Sequence, residues 1–355
     1  MTAFEIPTTM RAVRLVAPGQ PVELHEVPVP VIGPNDVLVK VHAAGICHSD
    51  VHYRAGRSRV EPLPLTLGHE VAGEIVAVGS HVLRRQPGDR VCLHYLVICE
   101  ECAHCQAGRE QFCVEGLMLG HFTDGGWAEY IAVPARNAVR LPDHVPYEHG
   151  AVMMCSSATS LHALRKGRLE RGESVLVVGA GGLGQSAIQI ARALGARTVV
   201  AVDRDDAKLA LAEQFGAIAV NASGRSVEET VAAVRDATEG RGVDVALELV
   251  GHGDTVQVAL KSVAPLGRAV VVGLNDVTVA VDTYRDLIGR EAELIGSNDH
   301  FLSELEELCV MARAGELVLD DIVTAEVPLD AAAINDVLDR LERGAAPART
   351  VVVFA

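Results

Sequence analysis

The chain has 355 residues, 49% of them hydrophobic, enough for two domains with substantial cores. Its formal charge of −16, from 47 Asp+Glu against 31 Lys+Arg, argues against nucleic-acid or anionic-membrane partners. No apolar stretch reaches the ~20 residues of a membrane helix, and Met1–Met10 lacks a cationic start before an apolar run; a cytoplasmic protein without a secretory leader is expected.

The first 150 residues alternate strand-like runs with turn signals. Arg11–Ala17, Val37–His42 and Val71–Val78 are rich in β-branched residues, and Pro18-Gly19, Gly33-Pro34, Gly79-Ser80 and Pro87-Gly88-Asp89 punctuate them. That pattern predicts a compact, antiparallel, barrel-like domain with long loops. Near Ser156 the character changes. Apolar runs at Glu173–Val178, Thr198–Val202, Val243–Leu249 and Arg268–Val272 alternate with helix-period stretches such as Gly184–Leu194 and Lys208–Phe215. Such alternation predicts a parallel, doubly wound sheet covered on both faces. It stops near Ile295, and the tail, with a helix at Ser303–Ala314 and a strand at Thr350–Phe354, is expected to pack back on the first half.

Between the strand ending at Val178 and the helix that follows, Gly179, Gly181 and Gly184 satisfy G-x-G-x-x-G. A lone match is weak, but this strand–turn–helix context supports a dinucleotide site. The amides of Gly182 and Leu183 and the helix start would then face a pyrophosphate. Asp203, 19 residues beyond Gly184 at the end of the next strand, can accept hydrogen bonds from both ribose hydroxyls and repel a 2′-phosphate, favouring NAD over NADP. Arg204 pulls the other way, since an Arg can serve a phosphate. The bland alternative is that Asp203 caps the helix beginning near Asp205.

Of eight cysteines, Cys99, Cys102, Cys105 and Cys113 fall within fifteen residues, a spacing that can wrap four thiolates around one Zn²⁺ in a closed, non-catalytic site. Disulfides are the alternative, disfavoured in a reducing compartment. Cys92 and Cys309 read as buried small hydrophobes.

Taken with Gly45-x-Cys47-His48-Ser49-Asp50, the triplet Gly68-His69-Glu70, Cys155 and the terminal Arg349-Thr350, these motifs make the chain resemble the zinc-dependent medium-chain alcohol dehydrogenases from about residue 10 to the end. The resemblance implies an α/β protein: a mostly-β GroES-like catalytic domain over 1–155, completed by 297–355, and a Rossmann domain over 156–296. It implies two zinc ions per chain, the structural one above and a catalytic one on Cys47, His69 and Cys155, with Glu70 as a conditional ligand. Two thiolates and a neutral imidazole cancel Zn²⁺ and leave one position open for water or alcohol. Asp50 would orient His69 through its other ring nitrogen. Ser49 would accept the alcohol proton and His52 relay it to solvent. His48 and Arg349 would contact the pyrophosphate and Lys208 a ribose, while Val250 and Val272 would flank the nicotinamide path. The implied reaction is reversible oxidation of primary or secondary alcohols to aldehydes or ketones, through a zinc alkoxide and hydride transfer to NAD. A polyol dehydrogenase of the same superfamily is the alternative, which Ser49-Asp50-Val51-His52-Tyr53 also fits; Cys155 and the four-cysteine loop favour the alcohol branch. The expected partner is a small-molecule alcohol or carbonyl. The short Cys113–Thr123 connection favours a homotetramer over a homodimer, by family analogy.

Overall fold

The computed structural model describes residues 5–274, 278–345 and 349–354, and all counts below refer to them. The chain forms two compact units, one of residues 1–155, 301–314 and 319–355, the other of 156–300 and 315–318.

The first unit is built on a seven-stranded sheet among the described residues. Its order is Ala138–Arg140, Arg90–Leu93, Val71–Val78, Asp36–Ile46, Arg349–Val353 and Val323–Pro328, with Tyr130–Pro134 also pairing with Asp36–Ile46. A three-stranded sheet (Thr9–Leu15, Glu23–Pro28, Leu65–Thr66) and a small ribbon (Leu96–Val97 with Leu117–Met118) accompany it. The pairing is antiparallel except where Val323–Pro328 runs parallel to Arg349–Val353. The expected strands are present, but Asp36–Ile46 runs four residues past His42, and its last residues pair with the chain's final strand, Thr350 opposite Ile46. Val37, Val39 and Val41 alternate into the core with Ile75, Leu93 and Trp127. The helix Ala331–Glu342, absent from the sequence reading, adds Ile334, Val337 and Leu338 at helical spacing; Asp330 caps it by accepting from the Ala333 N–H at 2.9 Å.

The second unit holds a six-stranded, all-parallel sheet in the order Ile218–Asn221, Thr198–Asp203, Ser174–Val178, Val243–Glu248, Val263–Val271, Glu293–Gly296. In sequence order this is 3-2-1-4-5-6, the doubly wound Rossmann arrangement. Every residue of Ser174–Val178 is buried, which is why that central strand reads as an unbroken apolar run. The register sets Val178 beside Val202 on one side and Glu248 on the other, with Glu248 beside Val271. Gly179, Val250 and Val272 therefore follow, and Asp203 ends, strands that stop together at the carboxyl edge of the sheet. The strand predicted over Arg268–Val272 starts earlier, at Val263, and its register breaks between Val243 and Val245. That irregularity interrupts the apolar run and hides the first half of the strand from the sequence pattern.

Candidate metal centres and cofactor edge

The strand Asp36–Ile46 ends where the strand Val71–Val78 begins, and their pairing, with Ala44 opposite Val71, brings residues 47 and 69–70 side by side. Cys47 caps a short helix, His48–Arg54, and the Asp50 carboxylate accepts the Cys47 N–H at 2.8 Å. Cys155 comes from a π-helical turn, Met153–Ser157, a local distortion frequent at functional sites. Ligand atoms of Cys47, His69, Glu70 and Cys155 all lie within 4.8 Å of one another. His69 Nδ1 faces Asp50 Oδ1 at 3.6 Å, too long for a strong hydrogen bond, which leaves Nε2 to the cluster.

Arg349, expected to contact a pyrophosphate, has a partner the sequence reading did not foresee. Its guanidinium is buried and ion-paired with the buried Glu70 carboxylate. Gly45 makes room for that carboxylate, since a Cβ there would collide with Glu70 Oε2. The Gly45 carbonyl in turn accepts the Trp127 indole N–H at 3.3 Å. The glycines beside the two ligand motifs, Gly45 and Gly68, are the only local trace of this packing in the sequence. Tyr95 meets the His69 ring edge-on at 5.5 Å.

Electrostatics in the cluster follow from burial and close contact. The hydrogen bond from Cys155 holds the Cys47 thiol well below its ordinary range, and the same contact and burial push Cys155 up. Burial works against charge on His69, yet Asp50 and Cys47 outweigh it and raise its pKa. Burial lifts Glu70 to about 7 against the opposing pull of Arg349. Buried His69 Nδ1, Glu70 Oε1 and Asp50 Oδ1 have no hydrogen-bond partner. Unsatisfied buried polar atoms are costly; His69 Nδ1 and Asp50 Oδ1 face each other at 3.6 Å, and a divalent cation among the ligand atoms would give the Glu70 carboxylate a partner. Two sulfurs, an imidazole and an adjacent carboxylate are the donor set of a zinc site with an exchangeable position.

The second cluster lies on the loop following Leu96–Val97. Sulfur separations are 3.5 Å for Cys102–Cys105, 3.5 Å for Cys99–Cys113 and 4.0 Å for Cys99–Cys105. Four sulfurs each ~2.3 Å from one tetrahedral ion would lie roughly 3.8 Å apart, so the loop is shaped for zinc. Main-chain N–H groups of Cys99 and Cys102 donate to the sulfurs of Cys113 and Cys99, both at 3.3 Å. Cys105 is pushed up to about 12 by burial and by the sulfur of Cys102, while Cys102 falls to about 6 through main-chain hydrogen bonding. Thiols this close share protons that a cation would displace.

At the sheet edge of the second unit, Gly179 has φ +99°, a conformation glycine adopts without strain. A Cβ on Gly184 would strike the Gly179 carbonyl, whereas a Cβ on Gly181 would meet nothing within 4 Å. No protein neighbour requires glycine at 181. The open space lies at the N-terminus of the helix Gly182–Ala193, whose cap is Gly181 itself, and suits a phosphate group. The helix starts two residues before the predicted Gly184, because its first turn lies inside the glycine motif. Asp203 Oδ2 accepts the Ala180 N–H at 2.7 Å, and Oδ1 accepts those of Arg204 and Asp205 at 2.7 and 3.1 Å. The next helix is capped by Asp205, through Ala207 and Lys208, so Asp203 is not its cap. Lys208 is half-buried on that helix, and Arg204 and Val250 are exposed. Glu248, not foreseen, is buried and accepts from Val250 N–H, Gly251 N–H and the Thr255 hydroxyl, fixing the turn beyond its strand. In the first unit His48 is exposed, while Ser49 and His52 are half-buried. Ser49 Oγ lies 3.8 Å from Cys47 Sγ, and the His48 and His52 rings are 5.2 Å apart.

Comparison with known proteins agrees with this construction. Residues 33–143 match the alcohol dehydrogenase GroES-like domain family and residues 182–308 the zinc-binding dehydrogenase family. The chain is 36% identical to an NAD-dependent alcohol dehydrogenase of Saccharolobus solfataricus over 97% of its own length and 100% of that protein. It is 38% identical to an L-threonine 3-dehydrogenase of Symbiobacterium thermophilum over 81% of its length and 82% of that protein. The crystal structure of the alcohol dehydrogenase from Aeropyrum pernix superposes with a TM-score of 0.86 at 34% identity, covering 97% and 99% of the two chains. Full-length likeness of this kind, in sequence and in backbone, places the chain in the zinc-dependent medium-chain alcohol dehydrogenase family.

Proposed function

We infer that this protein is a zinc- and NAD-dependent alcohol dehydrogenase that interconverts primary or secondary alcohols with aldehydes or ketones. The observation that carries the reading is the convergence of Cys47, His69, Glu70 and Cys155, from three separate chain segments, within 4.8 Å. Cys47, His69 and Cys155 would hold the catalytic zinc, with Glu70, paired to Arg349, as a conditional ligand. Cys99, Cys102, Cys105 and Cys113 hold a second, structural zinc. When bound, the catalytic zinc supplies Lewis acidity toward the alcohol oxygen and the nicotinamide accepts the hydride.

The chain's own residues handle binding, orientation and the proton. Asp50 steers the His69 ring from its Nδ1 side. Ser49 and His52 are three apart on the helix His48–Arg54 and so share a face, which lets the hydroxyl accept a proton from the substrate and the imidazole carry it outward. Gly179, Gly181, Gly182, Leu183 and Gly184 form the phosphate turn, Asp203 takes the ribose, and Val250 and Val272 flank the nicotinamide side. His48 and Lys208 supply the remaining polar contacts. Arg349 reaches the pyrophosphate only if it gives up part of its pairing with Glu70.

The catalytic domain is taken as 1–155 with 301–314 and 319–355, and the Rossmann domain as 156–300 with 315–318, in place of the expected boundary at 296/297. We assign the protein to the cytoplasm as a homotetramer, on the family analogy and the short Cys113–Thr123 connection. The deciding experiment is a substrate panel followed by NADH absorbance, covering linear, branched, cyclic and benzylic alcohols, one polyol and L-threonine. L-threonine is included because a relative bears that name and the molecule is itself a secondary alcohol. Turnover of monohydric alcohols with NAD supports the reading; no turnover of any panel member by zinc-loaded protein overturns it.

A further inference from the structure

Two cysteines stand outside both metal clusters. Cys92 lies on the strand Arg90–Leu93 and Cys309 on the helix Leu302–Ala314, 217 residues apart in sequence and both within the first unit. Their sulfurs are 3.9 Å apart. Cys92 is fully buried and Cys309 is 7% exposed. From these positions we propose that Cys92 and Cys309 form an oxidisable dithiol, which a peroxide converts to a disulfide tying the helix Leu302–Ala314 to the sheet.

The two sulfurs face each other across an interface whose geometry is fixed independently. Glu110 Oε1 accepts the Leu302 N–H at the start of the helix, and the other Glu110 oxygen accepts from Arg136 at 2.9 Å, so the helix is held in position against the sheet unit. Cys92 Sγ also lies 3.7 Å from the Val139 carbonyl on the adjacent strand, which limits its rotation. A disulfide needs sulfurs at about 2.0 Å. Closing by roughly 2 Å takes rotation about the two Cα–Cβ bonds and a small shift of the helix. With only two donors, the pair does not form a closed zinc site like those described above.

The less buried sulfur reacts first. Cys309 has its pKa lowered by the hydrogen bond from Cys92, and Cys92 is raised by the same contact and by burial. The Cys309 thiolate attacks the O–O bond of hydrogen peroxide, forming a sulfenic acid and releasing hydroxide, which leaves as water with the thiol proton. Cys92 sulfur then attacks the sulfenic sulfur and expels its hydroxyl, which leaves as water with the Cys92 proton. In sum, two thiols and one hydrogen peroxide yield one disulfide and two waters; the sulfurs lose two electrons and the peroxide gains them. A thiol reductant reverses the link.

The test treats zinc-loaded protein with stoichiometric hydrogen peroxide and follows intact mass, non-reducing peptide maps, zinc release and Tm. The proposal expects a loss of two hydrogens, a peptide joined through Cys92 and Cys309 before zinc is released, and a Tm higher by about 5 °C, because the unfolded chain is closed over a long loop. Dithiothreitol should restore the starting mass and Tm. Cys309→Ala and Cys92→Ala should each abolish the loss of two hydrogens and the Tm rise, with Cys92→Ala instead gaining oxygen at Cys309, which then lacks its resolving thiol. Recovery of Cys309 as a free thiol or a sulfinic acid, appearance of the joined peptide only after zinc loss, or an equal Tm rise in Cys309→Ala would each overturn it. Peptide mapping of the unaltered chain keeps the test decisive if a variant fails to fold.

Discussion

Arg349→Met is the substitution that most directly probes the buried pair beside the catalytic cluster. Methionine keeps the straight apolar stem and removes the charge. The side chains of Arg349 and Glu70 are 6% and 0% exposed, so solvent cannot replace the lost partner. Removing one member of such a pair costs about 3–5 kcal/mol, mostly because the other charge is left stranded. Glu70 supplies its own measure of that cost. Burial raises its folded pKa above the ordinary 4.5, to about 7, even with Arg349 present. A shift of that size corresponds to roughly 3 kcal/mol between the protonation states. Because the folded pKa is the higher one, the carboxyl's contribution to stability is complete below pH 4.5 and is lost as pH rises through 7. Without Arg349 the folded pKa moves higher still, and the loss continues into alkaline pH. Urea unfolding of metal-free Arg349→Met at pH 8 should therefore show the full penalty, and at pH 6 a smaller one, since Glu70 then folds protonated. Glu70→Gln in the Arg349→Met background should recover most of the loss. Strict additivity of the two substitutions, or a penalty that does not change between pH 6 and pH 8, would refute the account.

Cys47→Ala should abolish alcohol turnover while NADH binding, read by fluorescence titration, is preserved; loss of both would indicate misfolding instead. Cys105→Ser should remove one zinc from metal analysis and lower Tm, because three thiolates in the loop hold the ion poorly, and leave the other zinc in place. Asp203→Ala should cut the kcat/KM preference for NAD over NADP at least tenfold, since it removes both the ribose acceptor and the carboxylate that repels a 2′-phosphate. An unchanged coenzyme ratio would mean that the three main-chain N–H groups bound by Asp203 are its whole role.

Contiguous chemistry was legible in the sequence, and chemistry assembled across strands was not. The glycine turn is a strand, a turn and a helix start within one short segment, so position alone announces it. The four cysteines of the loop likewise lie within fifteen residues. Cys47, His69 and Cys155 meet only because two strands end together and a π-helical turn re-aims the third, and nothing short of family likeness joins them in the sequence. The pairing of Arg349 with Glu70 left no local signal because the two lie 279 residues apart. Glu248 was hidden as a charged residue at the end of an apolar run. The strands Ile218–Asn221 and Glu293–Gly296 leave little pattern because both lie at edges of the parallel sheet, where at most one residue of each is buried and the apolar signal thins.

The strand Arg349–Val353 sits between Asp36–Ile46 and Val323–Pro328, in the interior of its sheet and not at a margin. A ribosome makes residues 1–155 first, yet their sheet lacks that strand until about 200 further residues have emerged, on the order of 10–40 s later at ordinary elongation rates. The parallel-sheet unit, nearly continuous in sequence, is complete before then. Nascent chains should thus gain the nucleotide fold before the zinc-bearing one, and the exposed flank of Asp36–Ile46 during that interval is the segment most in need of a chaperone.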